Sequence, residues 1–193
     1  MAATPSTMLP LGTKAPGFEL PIVTGGTLDL EAYIKYSKGV VIAFICNHCP
    51  YVKHINRRLV EISNIYINKG IPFIAISSND ADSYPEDGPT AMKVHAKEMG
   101  YSFPYVYDET QEVAKAYQAA CTPDFYFFDR NRLLIYRGQF DSTRPKMDLP
   151  ATGQDLINAI ERYLSGKEIL QEQVPSIGCN IKWKPGNEPN YFL

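Results

Sequence analysis

Two cysteines stand two residues apart in Phe44-Ile45-Cys46-Asn47-His48-Cys49-Pro50, and their thiols are the groups in this chain best suited to chemistry. As thiolates, cysteines at that spacing attack disulfides or hold soft metals. A helix N-terminus favours the thiolate, because its unpaired N–H groups carry roughly half a positive charge. The sequence offers such a terminus: Cys46 ends an apolar run and Cys49 enters the first turn of a helical pattern, where Pro50 is tolerated. In such a pair the more exposed first cysteine attacks and the inner one resolves. Cys46 is therefore the expected nucleophile, with a pKa below the ~8.5 of a free thiol, and Cys49 the resolving thiol. An imidazolium at His48 favours thiolate and makes the couple more oxidising, while Asn47 tunes the couple from the substrate side.

A second element, Cys121-Thr122-Pro123, precedes an apolar strand. A proline opening a strand is a candidate for a cis bond, and such a turn presents backbone groups, including those of Thr122, to a passing peptide. Cys121 reads as a small buried packing residue. Cys179 lies in a proline-bearing tail whose apolar anchors suggest that it folds over the domain. A tail cysteine brought near Cys46, Cys49 or Cys121 would carry electrons onward as an exchange relay, provided that the Cα atoms come within ~7 Å.

The elements that must position these groups are legible from periodicity. Val40 to Ile45 reads as a strand buried on both faces, and Val52, Ile55, Leu59, Ile62 and Tyr66 place a helix directly behind the cysteines, ending near Gly70 and Pro72. Further strands are expected at Phe73 to Ser77, Phe103 to Tyr107, Phe125 to Phe128 and Leu133 to Arg137. Helices are expected at Pro89 to Met99, at Thr110 to Ala119 behind an Asp108 N-cap, and at Gln154 to Leu164. Strands alternating with helices give an α/β sandwich. Phe18 to Leu20 and Thr27 to Leu30 flank Gly25-Gly26 as an N-terminal hairpin. The chain divides into one domain over 1–170 and a tail over 171–193, with Ile177, Ile181, Trp183, Tyr191 and Phe192 as the tail's apolar anchors.

A chain of 193 residues, 45% hydrophobic, can bury a core without staples. A net charge of −2 leaves no footprint for nucleic acid or anionic lipid, since Lys53, Arg57 and Arg58 read as one solvated helix face. No run approaches a membrane span, and Met1 to Ser6 lacks a basic-then-apolar leader, so a soluble, cytoplasmic protein is expected. Four cysteines are too few for a disulfide scaffold.

The order of hairpin, apolar strand, C-x-x-C, helix and later Thr-Pro before a strand resembles the thioredoxin superfamily over roughly residues 10 to 166. Five segments resemble more closely the peroxiredoxin-like proteins grouped with alkyl hydroperoxide reductase and thiol-specific antioxidant. They are Lys14 to Leu20, Cys46 to Val52, Tyr84-Pro85-Glu86-Asp87, Cys121 to Phe125 and Pro175 to Lys184. The resemblance implies a thioredoxin fold, with a central mixed β-sheet flanked by helices, and a cis Pro123 packed against the redox pair. Two departures matter. Peroxide-reducing relatives carry Pro and Thr ahead of the reacting Cys, yet those positions are Gly39 and Ala43 for Cys46, or Ile42 and Cys46 for Cys49. Thioredoxins carry a buried acid on the preceding strand, yet Val40 to Ile45 has none, so no proton acceptor for Cys49 is visible.

The favoured expectation is thiol–disulfide exchange through a mixed disulfide at Cys46. It needs no cofactor or metal, and its partners are a protein or small-molecule disulfide and a reducing thiol. Oligomeric state is left open. A thiol peroxidase using Arg144 or Arg137 to activate peroxide is the alternative. A copper chaperone using Cys46, Cys49 and a histidine is the third reading.

Overall fold

The apolar run ahead of the cysteines forms the central strand of the molecule, in a computed structural model that describes residues 3–191. In chain order the elements begin with β1 (Ala3–Pro5), β2 (Glu19–Pro21), β3 (Thr27–Asp29), α1 (Leu30–Tyr33), β4 (Gly39–Phe44), α2 (Pro50–Asn68) and β5 (Phe73–Ser77). They continue with a 3-10 turn (Pro85–Asp87), α3 (Pro89–Met99), β6 (Tyr105–Tyr107), α4 (Glu112–Ala116), β7 (Cys121–Thr122), β8 (Asp124–Asp129), β9 (Leu134–Gly138), α5 (Gln154–Leu164) and β10 (Ile177–Asn180).

The main sheet has the order β6-β5-β4-β8-β9, with β4, β5 and β6 parallel and β8 and β9 antiparallel to their neighbours. Every residue of β4 is buried because the sheet is covered on both faces. Val41, Ala43 and Ile45 pack with α2 and α5 residues on one side, and Val40, Ile42 and Phe44 with Leu30, Tyr117 and Tyr126 on the other. β2 and β3 form the expected N-terminal hairpin. This mixed sheet between helices is the expected thioredoxin-type α/β architecture.

Three elements differ from expectation. β6 starts at Tyr105, two residues late, because Pro104 has no N–H for the ladder and contributes only its carbonyl, to Ala75. The helix foreseen at 110–119 is the five-residue α4. Gln111 ahead of it is left-handed, at φ 65°, and Asp108 caps from further back, accepting from Ala114 N at 2.9 Å. A second sheet, β1-β10-β7, was not foreseen. It lays the tail strand β10 between the N-terminal residues and the segment before Pro123. Tail residues Ile181 and Trp183 are buried against the domain; Phe192, also read as an anchor, lies outside the described residues.

Candidate active site

Strand β4 delivers Cys46 to the end of the sheet, and Cys49 is the N-cap of α2, with Pro50 at its first position. All four cysteines are free thiols and buried. This corrects one expectation. Cys46 is only 1% exposed against 0% for Cys49, so exposure does not separate the two.

The second wall of the site is the Thr122–Pro123 bond, which is cis. Thr122 Oγ1 lies 3.4 Å from Cys46 Sγ, and the Thr122 carbonyl accepts the Cys49 thiol at 3.1 Å. One threonine therefore touches both sulfurs, through its side chain and its backbone.

Asp87 closes the third side, and it is wholly buried. Its Oδ1 accepts the backbone N–H of Asn47 at 2.8 Å and of His48 at 3.2 Å, while its Oδ2 meets His48 Nδ1 at 2.5 Å and accepts Asn79 Nδ2 at 2.7 Å. The carboxylate thus takes the loop amides that would otherwise face a thiolate. Cys46 Sγ, a ring nitrogen of His48 and a carboxylate oxygen of Asp87 lie within 4.8 Å of one another.

These neighbours reverse the expected electrostatics of the pair. The Cys46 thiol is pushed well up, first by hydrogen bonding to Cys49, then by burial and the negative charge of Asp87. Cys49 is held down to about 5, led by its hydrogen bond with Cys46 and helped by those from Cys179 and Thr122 against the cost of burial. The two sulfurs titrate as a coupled pair, with Cys46 pushed up and Cys49 held down. The helix N-terminus does favour a thiolate at this junction, but on Cys49, its own N-cap.

His48 is the half-buried mouth of the site. Its ring stacks on Tyr84 at 5.6 Å, and its Nδ1 faces Asp87 and lies 4.0 Å from Cys46 Sγ. Any positive charge on His48 is therefore balanced by Asp87 before it reaches the sulfur. Asn47, expected on the substrate side, is turned inward: its Nδ2 donates to Glu86 O at 2.7 Å and its Oδ1 accepts from Tyr105 at 3.2 Å.

Arg144 does not reach the cysteines. Its guanidinium donates to the carbonyls of Asp141 and Thr143, both at 2.7 Å, and to Gln139 Oε1 at 2.5 Å. It lines a small groove with Tyr51, His54 and Pro123. Arg137 donates to Gln173 of the tail at 2.9 Å. His54 pairs with Thr143 and His95 with Asn56, so neither joins the pair. Cys121 pairs across the sheet with Asn180, next to the Cys179–Thr122 pair and so on the opposite face from it. Burial pushes the Cys121 thiol up. Asp87 is the residue that sequence reasoning passed over. It was given no role there, although Tyr84-Pro85-Glu86-Asp87 is one of the segments that carry the family resemblance.

A buried dithiol between a central parallel strand and a helix N-terminus, walled by a cis-proline loop, defines a thioredoxin-fold dithiol protein. Residues 11–137 match the AhpC/TSA family, and the chain belongs to that family. An uncharacterised conserved protein of Geobacillus kaustophilus shares 54% identity and superposes with a TM-score of 0.93, over 96% of this chain and 98% of that one. The thiol-disulfide oxidoreductase ResA of the same organism is 25% identical over 66% of this chain and 68% of its own length. The thioredoxin domain of a thiol-disulfide oxidoreductase from Bacteroides vulgatus, 18% identical, shares the fold at a TM-score of 0.61 over 80% of this chain and 98% of that domain. No helix among the described residues is long and apolar enough to cross a membrane.

Proposed function

We propose that the chain is a thiol–disulfide oxidoreductase in which Cys46 attacks and Cys49 resolves. The observation that carries this reading is that Thr122 of the cis-proline loop touches both sulfurs, its Oγ1 3.4 Å from Cys46 Sγ and its carbonyl accepting the Cys49 thiol at 3.1 Å. The kinship with the AhpC/TSA family and the likeness to ResA support it.

Proton transfer between the sulfurs places the charge on Cys46, which lies on the side of half-buried His48, whereas Cys49 is walled in by Thr122 and Cys179. The Thr122 hydroxyl, 3.4 Å away, then donates to the charged sulfur. Cys46 attacks one sulfur of the substrate disulfide, forming a mixed disulfide and expelling half of the substrate as a thiolate, which takes the proton of Cys49. Cys49 then attacks the Cys46 sulfur, expelling the other half and closing the Cys46–Cys49 bridge. Two electrons pass from protein to substrate, and an external thiol restores the dithiol. Asp87 fixes the loop. Its oxygens already accept from Asn47, His48 and Asn79, so it serves as anchor rather than as base. The proposed substrates are protein or small-molecule disulfides, and the proposed compartment is the cytoplasm.

One observation favours peroxide reduction as a second reading: Thr122 supplies beside Cys46 the hydroxyl that is missing at Ala43. Disulfide turnover measured beside peroxide consumption separates the two. Wild type should turn over disulfide faster than it consumes peroxide, with disulfide turnover lost on Cys46→Ser and on Cys49→Ser and kept on Arg144→Ala. Rapid peroxide reduction lost on Arg144→Ala reverses the ranking.

A further inference from the structure

The tail carries a cysteine into the site. β10 pairs antiparallel with β7, and in that register Cys179 stands directly opposite Thr122, the residue whose carbonyl accepts the Cys49 thiol at 3.1 Å. Cys49, Cys46 and Cys179 belong to one buried cluster, and the nearness of Cys179 is one of the causes that hold the Cys49 thiol down. The approach is close. A Cβ on neighbouring Gly178 would fall 2.0 Å from the Thr122 carbonyl oxygen, so glycine is what lets β10 lie against the proline loop. β10 also lies beyond residues 11–137, the span that matches the AhpC/TSA family. Cys179 is thus held on an extended strand between β1 and β7, next to the cis-proline.

We propose that Cys179 is a third redox thiol, which exchanges with Cys49 after each oxidation of the Cys46–Cys49 pair. The proposal rests on the dithiol reading above. Cys179 attacks the Cys49 sulfur of the Cys46–Cys49 bridge, a Cys49–Cys179 bond forms, and the Cys46–Cys49 bond breaks. Cys46 leaves with the electron pair and takes the proton that Cys179 gives up, so the step is an internal isomerisation with no net oxidation. It returns Cys46 to the reduced state while the oxidation is stored beneath it. Burial and the neighbouring Cys49 push the resting Cys179 thiol up to about 12. Its thiolate therefore becomes accessible only once Cys49 has lost its charge to a disulfide, which orders the steps. Lys182, which lies on the tail near Cys179 and Tyr84, lowers the cost of that thiolate.

The test is disulfide mapping of full-length wild type, oxidised with a small disulfide, acid-quenched and digested without reduction. Both Cys46–Cys49 and Cys49–Cys179 peptides should appear, and Cys179→Ser treated likewise should give Cys46–Cys49 alone. Wild type that gives only Cys46–Cys49 at every time of quenching overturns the relay and leaves the dithiol reading intact. Cys49–Cys179 formed in wild type with no Cys46 bridge at any time overturns the dithiol reading, and with it the order of steps.

Discussion

Asp87 Oδ2 lies 2.5 Å from His48 Nδ1, and the same carboxylate accepts the backbone N–H groups of Asn47 and His48 through Oδ1. One buried acid thus holds the whole loop between the two cysteines and sets a negative charge beside Cys46. It is one of the causes that push the Cys46 thiol up.

Replacing that acid by its amide removes the charge and keeps the shape. Asp87→Asn should lower the Cys46 pKa and raise its alkylation rate near neutral pH by about tenfold. Stability should fall by about 1–3 kcal/mol as the buried network loses a partner. Iodoacetamide kinetics with peptide mapping measure the first effect and urea unfolding the second. Labelling of Cys46 that slows in Asp87→Asn contradicts the assignment.

Asp124, on the strand after Pro123, gives a pH signature of its own. Burial lifts its carboxyl from 3.8 up to about 7. Between about pH 4 and pH 7 the folded state keeps a proton that the unfolded chain releases, so this group makes stability fall as pH rises. Asp124→Asn removes the slope. Unfolding free energies of the two proteins should diverge by a few kcal/mol across that range, in favour of the variant at the upper end. Wild type that gains on the variant as pH rises would refute this.

Gly178 tests the seating of the tail. An added methyl meets the Thr122 backbone rather than a movable side chain, so β10 must shift. Gly178→Ala should cost about 1–3 kcal/mol by overpacking and should speed the labelling of Cys179. Equal stability and equal labelling would mean that the strand is not held against Thr122.

Much of this frame was legible in the sequence, because helix and strand periods are local. Val40 to Ile45 and the helices at Pro50–Asn68, Pro89–Met99 and Gln154–Leu164 each announce themselves within one window. The cysteine pair and Thr122 were legible too, as spacing and as a resemblance. Asp87 was not, since its partners Asn47 and His48 are distant in sequence and its own short 3-10 turn has no period. The sheet β1-β10-β7 was hidden for a related reason. Its strands are two to four residues long and pair the two ends of the chain. The exposure expected of Cys46 failed with it, because Thr122 and Asp87 close over the site only once those distant segments meet.

The most direct test of the account is to trap the mixed disulfide. Cys49→Ser, mixed with a small chromogenic disulfide, should accumulate one stable adduct that peptide mapping places on Cys46. Cys46→Ser should lose steady-state turnover by at least about a thousandfold and yield no adduct on Cys49 on the same timescale. An adduct that forms first on Cys49, or Cys46→Ser turning over at the wild-type rate, would contradict the claim that Cys46 is the attacking sulfur.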